Sequence, residues 1–139
     1  MAEKVEFELV SPARLLMSEQ VDMVVVPGSE GDFGALPRHA PMITTVRPGV
    51  IEVYEDNKVR DRIFVAGGFA EVNEVRCTVL AEEATPVADI DPATVERRLK
   101  DAREALNDAQ TAEAAHAAER ALAVAQAMQD AIGAKPAAH

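Results

Sequence analysis

The chain has 139 residues, of which 48% are hydrophobic, and it carries a formal net charge of −10 at pH 7. This length and composition predict one folded domain with an additional segment, and the acidic balance argues against a nucleic-acid-binding protein, which would need a basic surface. Cys77 is the one cysteine, so the sequence excludes an internal disulfide and a cysteine-based metal site, and its apolar neighbours predict a small buried side chain.

The N-terminal part of the chain, residues 1–86, carries the signals of many short β-strands. Val5, Phe7 and Leu9 alternate with glutamates, and this period of two predicts a strand with one buried face. Similar runs predict strands at residues 14–17, 21–26, 43–46, 50–54, 59–65, 69–72 and 75–81. Because the connections are too short for helices, we expect a mostly antiparallel β-sandwich or barrel.

A glycine-rich segment, PGSEGDFGALPRHAPMIT, interrupts this pattern after Val26. Its spacing matches neither common phosphate-binding motif, and the carboxylates of Glu30 and Asp32 would repel a phosphate, which argues against a nucleotide-binding loop here. The glycines of the segment are expected to adopt positive φ in tight turns; they are Gly28, Gly31 and Gly34. An exposed acidic loop on a rigid scaffold is typical of a surface that contacts a basic partner.

His39 is the one histidine of this segment, and we expect it to have a structural role through a hydrogen bond to the loop backbone. A catalytic histidine would need a nucleophile or a second metal ligand, and His116 and His139 in the C-terminal part do not supply the spacing of a zinc site. A small β-sandwich hydrolase that uses His39 is an alternative, which unchanged function after His39→Ala would remove.

The C-terminal part, residues 87–139, is rich in alanine and predicts helices. Asp91 as N-cap and Pro92 at the first helical position predict the start of the first helix. Gly133 and Pro136 predict the end of the second. Two apolar stripes run between these signals, through Val95, Leu99, Ala102, Leu106 and Ala109 and then through Ala118, Leu122, Ala125 and Ile132.

Residues 107–113 contain poor helix formers and predict the turn of an antiparallel helical hairpin, with one long helix as the alternative. An alanine seam buries little apolar area, so we expect this hairpin to open easily. The first helix also carries a mixed run of charges around Arg97, Arg98, Lys100 and Arg103, which indicates either a solvated face or a surface for a partner.

Several of these motifs, in this order, resemble the epsilon subunit of F-type ATP synthases. The glycine-rich segment runs into Leu-Pro-Arg-His-Ala-Pro at residues 36–41, and related stretches follow at 47–50, 66–72 and 79–82. The resemblance covers about residues 3–105 and the order of elements beyond. It implies an antiparallel β-sandwich followed by a two-helix antiparallel hairpin, in a non-catalytic central-stalk subunit that couples proton flow to ATP synthesis.

The resemblance also implies partners and contact residues. In this family the β-sandwich binds the gamma subunit and the ring of c subunits, and the matching c-ring contact is Ser29, Glu30, Gly31 and Asp32. The matching structural loop contains Gly34, Pro37, His39 and Pro41. Helices of relatives can reach the alpha and beta subunits. Membrane contact is expected only through the complex, at the cytoplasmic face of the inner membrane, because no run approaches the ~20 apolar residues that cross a bilayer.

The helical part departs from relatives that bind ATP at the start of the first helix. Thr94 and Val95 stand where the motif of those relatives has Arg and Ala, so the cation that would face a phosphate is missing from its position. The weak candidates for an ATP contact are Ile90, Asp91, Arg97 and Arg98. We therefore expect no bound cofactor, and the alternative, a free-standing ATP-sensing regulatory protein, would be favoured by micromolar ATP binding to the isolated protein.

In relatives the helical hairpin can also extend and block ATP hydrolysis, partly through basic residues that face an acidic segment of the catalytic subunit. Here the second helix, residues 114–132, has Arg120 as its one cation, and the next basic residue is Lys135. Electrostatic docking should therefore be weak, and we expect the hairpin to be a poor inhibitor.

Overall fold

The computed structural model of the protein describes residues 3–134. Within that range ten β-strands come first: β1 (Val5–Val10), β2 (Leu15–Val21), β3 (Met23–Gly28), β4 (Gly31–Ala35), β5 (Met42–Val46), β6 (Gly49–Glu55), β7 (Lys58–Val65), β8 (Gly68–Val72), β9 (Arg76–Ala81) and β10 (Ala84–Pro86). A short 3-10 turn (Val87–Asp89) leads to two helices, α1 (Pro92–Asp108) and α2 (Ala112–Gly133). The predicted β-sandwich followed by a helical hairpin is confirmed.

The strands form a hydrogen-bonded sheet in the order β10-β7-β6-β3-β5-β8-β9-β1-β2, and β4 is attached to β3. The pairings between described strands are antiparallel except for that of β1 with β9, which is parallel from Glu6 opposite Arg76 to Val10 opposite Leu80. The expected antiparallel pairing therefore holds for the other ladders, including those of β3 with β6 and β5 with β8, which no short turn joins. The exception is β1 with β9, two strands far apart in sequence whose relative direction no connecting turn dictates.

Three details of the strand pattern differ from the sequence prediction. The run at residues 21–26 is divided between β2 and β3 because the chain turns at Asp22, whose carboxylate accepts a 2.7 Å hydrogen bond from the Asp56 amide. β4 forms by pairing with β3 although its two glycines disfavour a strand. β10 has only three residues, and a run of that length carries no periodic signal.

The core of the sandwich consists mainly of aliphatic side chains at alternate strand positions. Val5, Phe7 and Leu9 are at most 1% exposed, as their period of two predicts. Cys77 is fully buried in the same cluster, as expected, and burial raises the pKa of its thiol to about 12. Burial of apolar surface contributes about 25 cal/mol per Å² removed from water, so this cluster is the main source of stability for the strand-rich part.

A second apolar cluster joins the helical hairpin to β7. Its centre is Phe64, which has no exposed surface and lies on the side of β7 opposite the sandwich core. The buried members are Phe64, Ala66, Ile90, Val95, Leu99, Ala125, Met128 and Ala131. Three of these are alanines, whose side chains bury little area, so the attachment depends on Phe64 and the few larger side chains around it.

The predicted start of α1 is confirmed. Asp91 is the N-cap, its carboxylate accepts a 3.0 Å hydrogen bond from the Ala93 amide, and Pro92 is the first helical residue. The predicted stripe of α1 is buried at Val95 and Leu99, and at Ala102 as well. Neither α1 nor α2, the two long helices of the described range, is long and apolar enough to cross a membrane.

The turn between the helices is also confirmed, so the alternative of one long helix is wrong. α1 ends at Asp108, and Thr111 caps α2 by accepting a 3.0 Å hydrogen bond from the Ala114 amide. α2 ends at Gly133, as predicted, whereas Pro136, like Lys135 and His139, lies outside the described residues.

Gly68 gives the first testable prediction. Its φ is +139°, and a Cβ at this position would lie 2.0 Å from the backbone oxygen of Leu80. We expect Gly68→Ala to lower the free energy of unfolding by at least about 2 kcal/mol, since the backbone must shift and remain strained. Urea unfolding measures this, with Gly133→Ala as control because no atom lies near that Cβ. Equal midpoints for the two variants would contradict the close approach of β8 and β9.

Cys77 gives a pH dependence of defined sign. Its pKa is about 12 in the folded protein, against an ordinary value of 9.0, so the unfolded chain loses this proton first as the pH rises. The contribution of the protonated Cys77 thiol to the free energy of unfolding is therefore complete below about pH 9 and decreases between about pH 9 and 12. We expect the urea midpoint to fall more steeply above pH 9 in the wild type than in Cys77→Ala. Parallel decreases in both proteins would contradict the raised pKa.

Candidate functional site

The predicted contact residues 29–32 form the tip of a β-hairpin made by β3 and β4. Gly28 lies opposite Gly31 across the hairpin, and Ser29 and Glu30 make the turn between them. All four residues of this acidic tip are exposed. The structure thus brings Ser29, Glu30, Gly31 and Asp32 together at one turn, on a hairpin whose strand β3 also pairs with β6 inside the sheet.

The three glycines of the hairpin have different roles. Gly31 has a φ of +133°, as predicted for a turn glycine. Positive φ is wrong for Gly28 and Gly34, neither of which has a left-handed backbone. A Cβ on Gly28 would lie 2.7 Å from the backbone oxygen of Gly31, and one on Gly34 would lie 3.2 Å from the sulfur of Met23. Those two glycines therefore allow close packing.

Arg47, in the connection between β5 and β6, holds the hairpin from one side. Its Nη2 donates to Oδ1 of Asp32 at 2.5 Å, and its Nη1 donates to the backbone oxygen of Gly28 at 2.5 Å. Its amide donates to the backbone oxygen of Pro27 at 2.9 Å. The sequence predicts that the charge of Asp32 is free for a basic partner. In the structure this charge is compensated within the protein by Arg47.

Glu30 has a different environment from Asp32. The neighbouring Ser29 is fixed on β5, since its amide donates to the backbone oxygen of Thr45 at 2.9 Å and the two hydroxyl oxygens lie 2.6 Å apart. Glu30 is exposed and makes no ion pair with any residue in the described range. Glu30 is therefore the unpaired carboxylate of the acidic tip, whereas that of Asp32 is exposed but paired with Arg47.

An exposed apolar surface lies beside the acidic tip on the outer side of β5, β8 and β9. Its three large side chains, which we call the apolar face, are Ile43, Phe69 and Leu80, and they are 75%, 56% and 53% exposed. Phe69 and Leu80 are directly opposite each other across β8 and β9, and Phe69 is opposite Thr45 across β5 and β8. Exposed apolar side chains grouped on one sheet face are typical of a protein–protein interface.

A groove of about 620 Å³ is lined by both the acidic tip and β5. One wall is formed by residues 28–33 and the other by residues 42–45, so Glu30 and Ile43 both border it. The acidic tip and the apolar face are consequently parts of one continuous surface that combines a negative charge with apolar area.

The predicted structural loop lies at the other end of β4. The structure supports the structural role of His39, because its Nδ1 donates to the backbone oxygen of Ala40 at 2.6 Å and its ring lies 6.3 Å from that of Phe33. Arg38 has a φ of +68° and its amide donates to the backbone oxygen of Glu74 at 2.6 Å. These contacts fix the path of the segment that also contains Gly34, Pro37 and Pro41.

The four weak candidates for ATP are all engaged in structural contacts. Ile90 is buried under the helices, and Asp91 caps α1. The guanidinium of Arg98 donates to both carboxylate oxygens of Glu83 at 2.8 and 3.2 Å, and this pairing raises the pKa of Arg98. Arg97 is exposed and donates to Oγ1 of Thr94 at 3.3 Å. The structure does not bring these four side chains together as one free polar site.

Two features of the surface are missed by the sequence reasoning. Arg47 has no signal of its own, because its role depends on contacts with the two strands of a hairpin distant in sequence. The apolar face could have been found from strand parity: Ala70 and Val72 are buried, so Phe69 between Gly68 and Ala70 must point to the other side of β8. Within residues 3–134 there is no group of three side chains that could hold a metal ion.

Comparisons with known proteins give the same answer for both parts of the sequence. Residues 4–87 match the family "ATP synthase, Delta/Epsilon chain, beta-sandwich domain", and residues 91–139 match the family of the C-terminal domain of the ATP synthase epsilon chain. The ATP synthase epsilon chain of Paramagnetospirillum magneticum is 62% identical over 133 residues, which cover 95% of this chain and 99% of that protein. That of Rhodospirillum rubrum is 62% identical over 121 residues, which cover 84% and 90%.

Solved structures show the same fold at low sequence identity. A chain in the mitochondrial ATP synthase of Euglena gracilis, in a structure containing F1 and the c-ring, superposes with a TM-score of 0.79 at 24% identity, covering 93% of this chain and 81% of that one. A chain in the central stalk and c-ring of the Tetrahymena thermophila enzyme gives a TM-score of 0.71 at 12% identity, covering 94% and 97%.

Proposed function

The protein belongs to the ATP synthase epsilon chain family, and from that premise we propose that its β-sandwich connects the gamma subunit to the ring of c subunits. The resemblance seen in the sequence is thereby confirmed. The protein is a non-catalytic subunit of the rotary ATP synthase, part of a membrane-associated complex. Its proposed place is the central stalk at the cytoplasmic face of the inner membrane, where proton flow is coupled to ATP synthesis.

The acidic tip is the proposed contact with the c ring. The observation that supports this assignment is a charged turn that is exposed and yet fixed by the sheet, with Glu30 unpaired among the described residues. A turn that is already ordered loses little conformational entropy on binding. A carboxylate also forms short, directional hydrogen bonds with a guanidinium, so a basic loop of the ring is the expected partner.

The apolar face is the proposed contact with the gamma subunit. Binding would remove from water the exposed apolar area of Ile43, Phe69 and Leu80. Each Å² of apolar area buried in this way contributes about 25 cal/mol to the free energy of association. Because the groove between the acidic tip and β5 joins the two surfaces, the partners would meet there. A rigid sandwich that contacts both at once makes them turn together, and this is the proposed basis of coupling.

The helical hairpin is proposed to act only weakly on ATP hydrolysis. It lies against Phe64 in this structure, and Arg120 is the one Lys or Arg of α2. A contact with an acidic segment of the alpha or beta subunits would therefore gain little from charge. Since the four ATP candidates have structural partners, we propose that the hairpin binds no nucleotide.

Reversal of the charge at Glu30 tests the c-ring contact. We expect Glu30→Arg to place a cation against a basic loop, at a cost of about 2 kcal/mol, and to lower ATP-driven proton pumping relative to ATP hydrolysis in membranes. Glu74→Arg is the matched control, because Glu74 is exposed in the turn between β8 and β9, far from the tip in the sheet. Normal pumping by the Glu30 variant would refute the contact.

The apolar face has its own test. Ile43→Arg should weaken association with the gamma subunit without unfolding the sandwich, because Ile43 is 75% exposed and its replacement leaves no cavity. Val75→Arg serves as control, since Val75 is 66% exposed but lies in the turn that precedes β9. Purification of the gamma subunit with each variant measures the effect. Equal recovery with both variants would place the gamma contact elsewhere.

A further inference from the structure

Arg47 makes a set of contacts that goes beyond an ordinary surface ion pair. Three of its donors reach the hairpin: the amide contacts the oxygen of Pro27, Nη1 contacts the oxygen of Gly28, and Nη2 contacts the carboxylate of Asp32. Pro27 and Gly28 belong to β3, whereas Asp32 belongs to β4. One side chain and its own backbone therefore bridge both strands of the hairpin next to the turn.

We infer that Arg47 is the positioning residue of the acidic tip, and that by neutralising Asp32 it leaves Glu30 as the carboxylate presented to a cationic partner. The positioning role of Arg47 concerns this protein alone. The assignment of the c-ring contact to Glu30 rests on the proposed function.

The geometry explains why an arginine is suited to this position. The side chains of Arg47 and Asp32 are 44% and 60% exposed, so the ion pair alone would contribute little. The planar guanidinium, however, binds a backbone oxygen and a carboxylate with two different nitrogens, which fixes direction as well as distance. A lysine could neutralise Asp32 but could not hold both acceptors in one plane.

The backbone around Arg47 is restrained as well. Pro48 follows it, and Gly49 comes so close to β3 that an added Cβ would lie 3.0 Å from Cβ of Pro27. The guanidinium is therefore attached to a backbone segment that has little room to move. Movement of the tip would have to break the contacts to Gly28 and Asp32 while Arg47 stays in place.

The charge at the tip follows from the same contacts. Glu30 and Asp32 contribute two negative charges and Arg47 contributes one positive charge at 2.5 Å from Asp32, so the net charge of the group is −1. Because the compensated pair projects a weaker field than a free carboxylate, an approaching cation is attracted mainly by Glu30.

Hydrogen exchange of the full-length protein tests the positioning role. We expect Arg47→Gln to speed exchange of the amides of residues 28–33 by at least about threefold relative to the wild type. Arg47→Lys should exchange nearly as fast as Arg47→Gln, because the two-point contact is lost in both. Arg38→Gln is the matched control, since Arg38 forms its ion pair with Glu3 rather than with the hairpin. Unchanged exchange in Arg47→Gln would overturn the inference.

The assembled enzyme tests the charge assignment. We expect Glu30→Gln to lower the ratio of proton pumping to ATP hydrolysis more than Asp32→Asn does. An equal or larger effect of Asp32→Asn would overturn the assignment of the contact to Glu30. If neither variant changes the ratio while Arg47→Gln still speeds exchange, the proposed c-ring contact is refuted together with the charge assignment, and the positioning role of Arg47 stands.

Discussion

The close packing of β3 within the sheet is the constraint on which the surface of this protein depends. Val24 and Val26 have no exposed surface, and the strand is hydrogen-bonded to β6 on one side and to β4 on the other. The acidic tip is a direct continuation of this strand. Side chains packed in the core therefore fix the position of a turn that is itself exposed, so the turn is ordered without being buried.

The helical hairpin is attached by a different kind of contact. In the described range the sandwich core contains 17 buried residues, of which three are alanines, whereas the cluster that joins the helices to β7 contains only eight, and three of those are alanines. Less apolar area is buried per residue at the second surface, so the two parts differ in how firmly they are held. The ion pair of Arg98 with Glu83 adds a directional contact between α1 and the segment that joins β9 to β10. Its partial exposure limits its contribution to stability.

Much of the fold could be predicted because local chemistry and tertiary contacts agree. The alternation in β1, the Asp91-Pro92 start of α1 and the turn before α2 each follow from short-range rules, and the structure has all three. β4 and the parallel pairing of β1 with β9 could not be predicted, because both are set by partners distant in sequence or by packing that overrides propensity. The tip residues were recognisable from composition and resemblance. Their division into a paired Asp32 and a free Glu30 depends on Arg47, which lies 15 residues from Asp32 in the sequence.

The parallel pairing of β1 with β9 has a consequence for biosynthesis. Glu6 meets Arg76 in this ladder, so β1 cannot complete its hydrogen bonds during synthesis until about 70 more residues have been made. β1 can pair early with β2, but its other edge stays open and able to pair with a second nascent polypeptide. The interval between the synthesis of β1 and that of β9 is therefore the period in which this edge is open to misassembly.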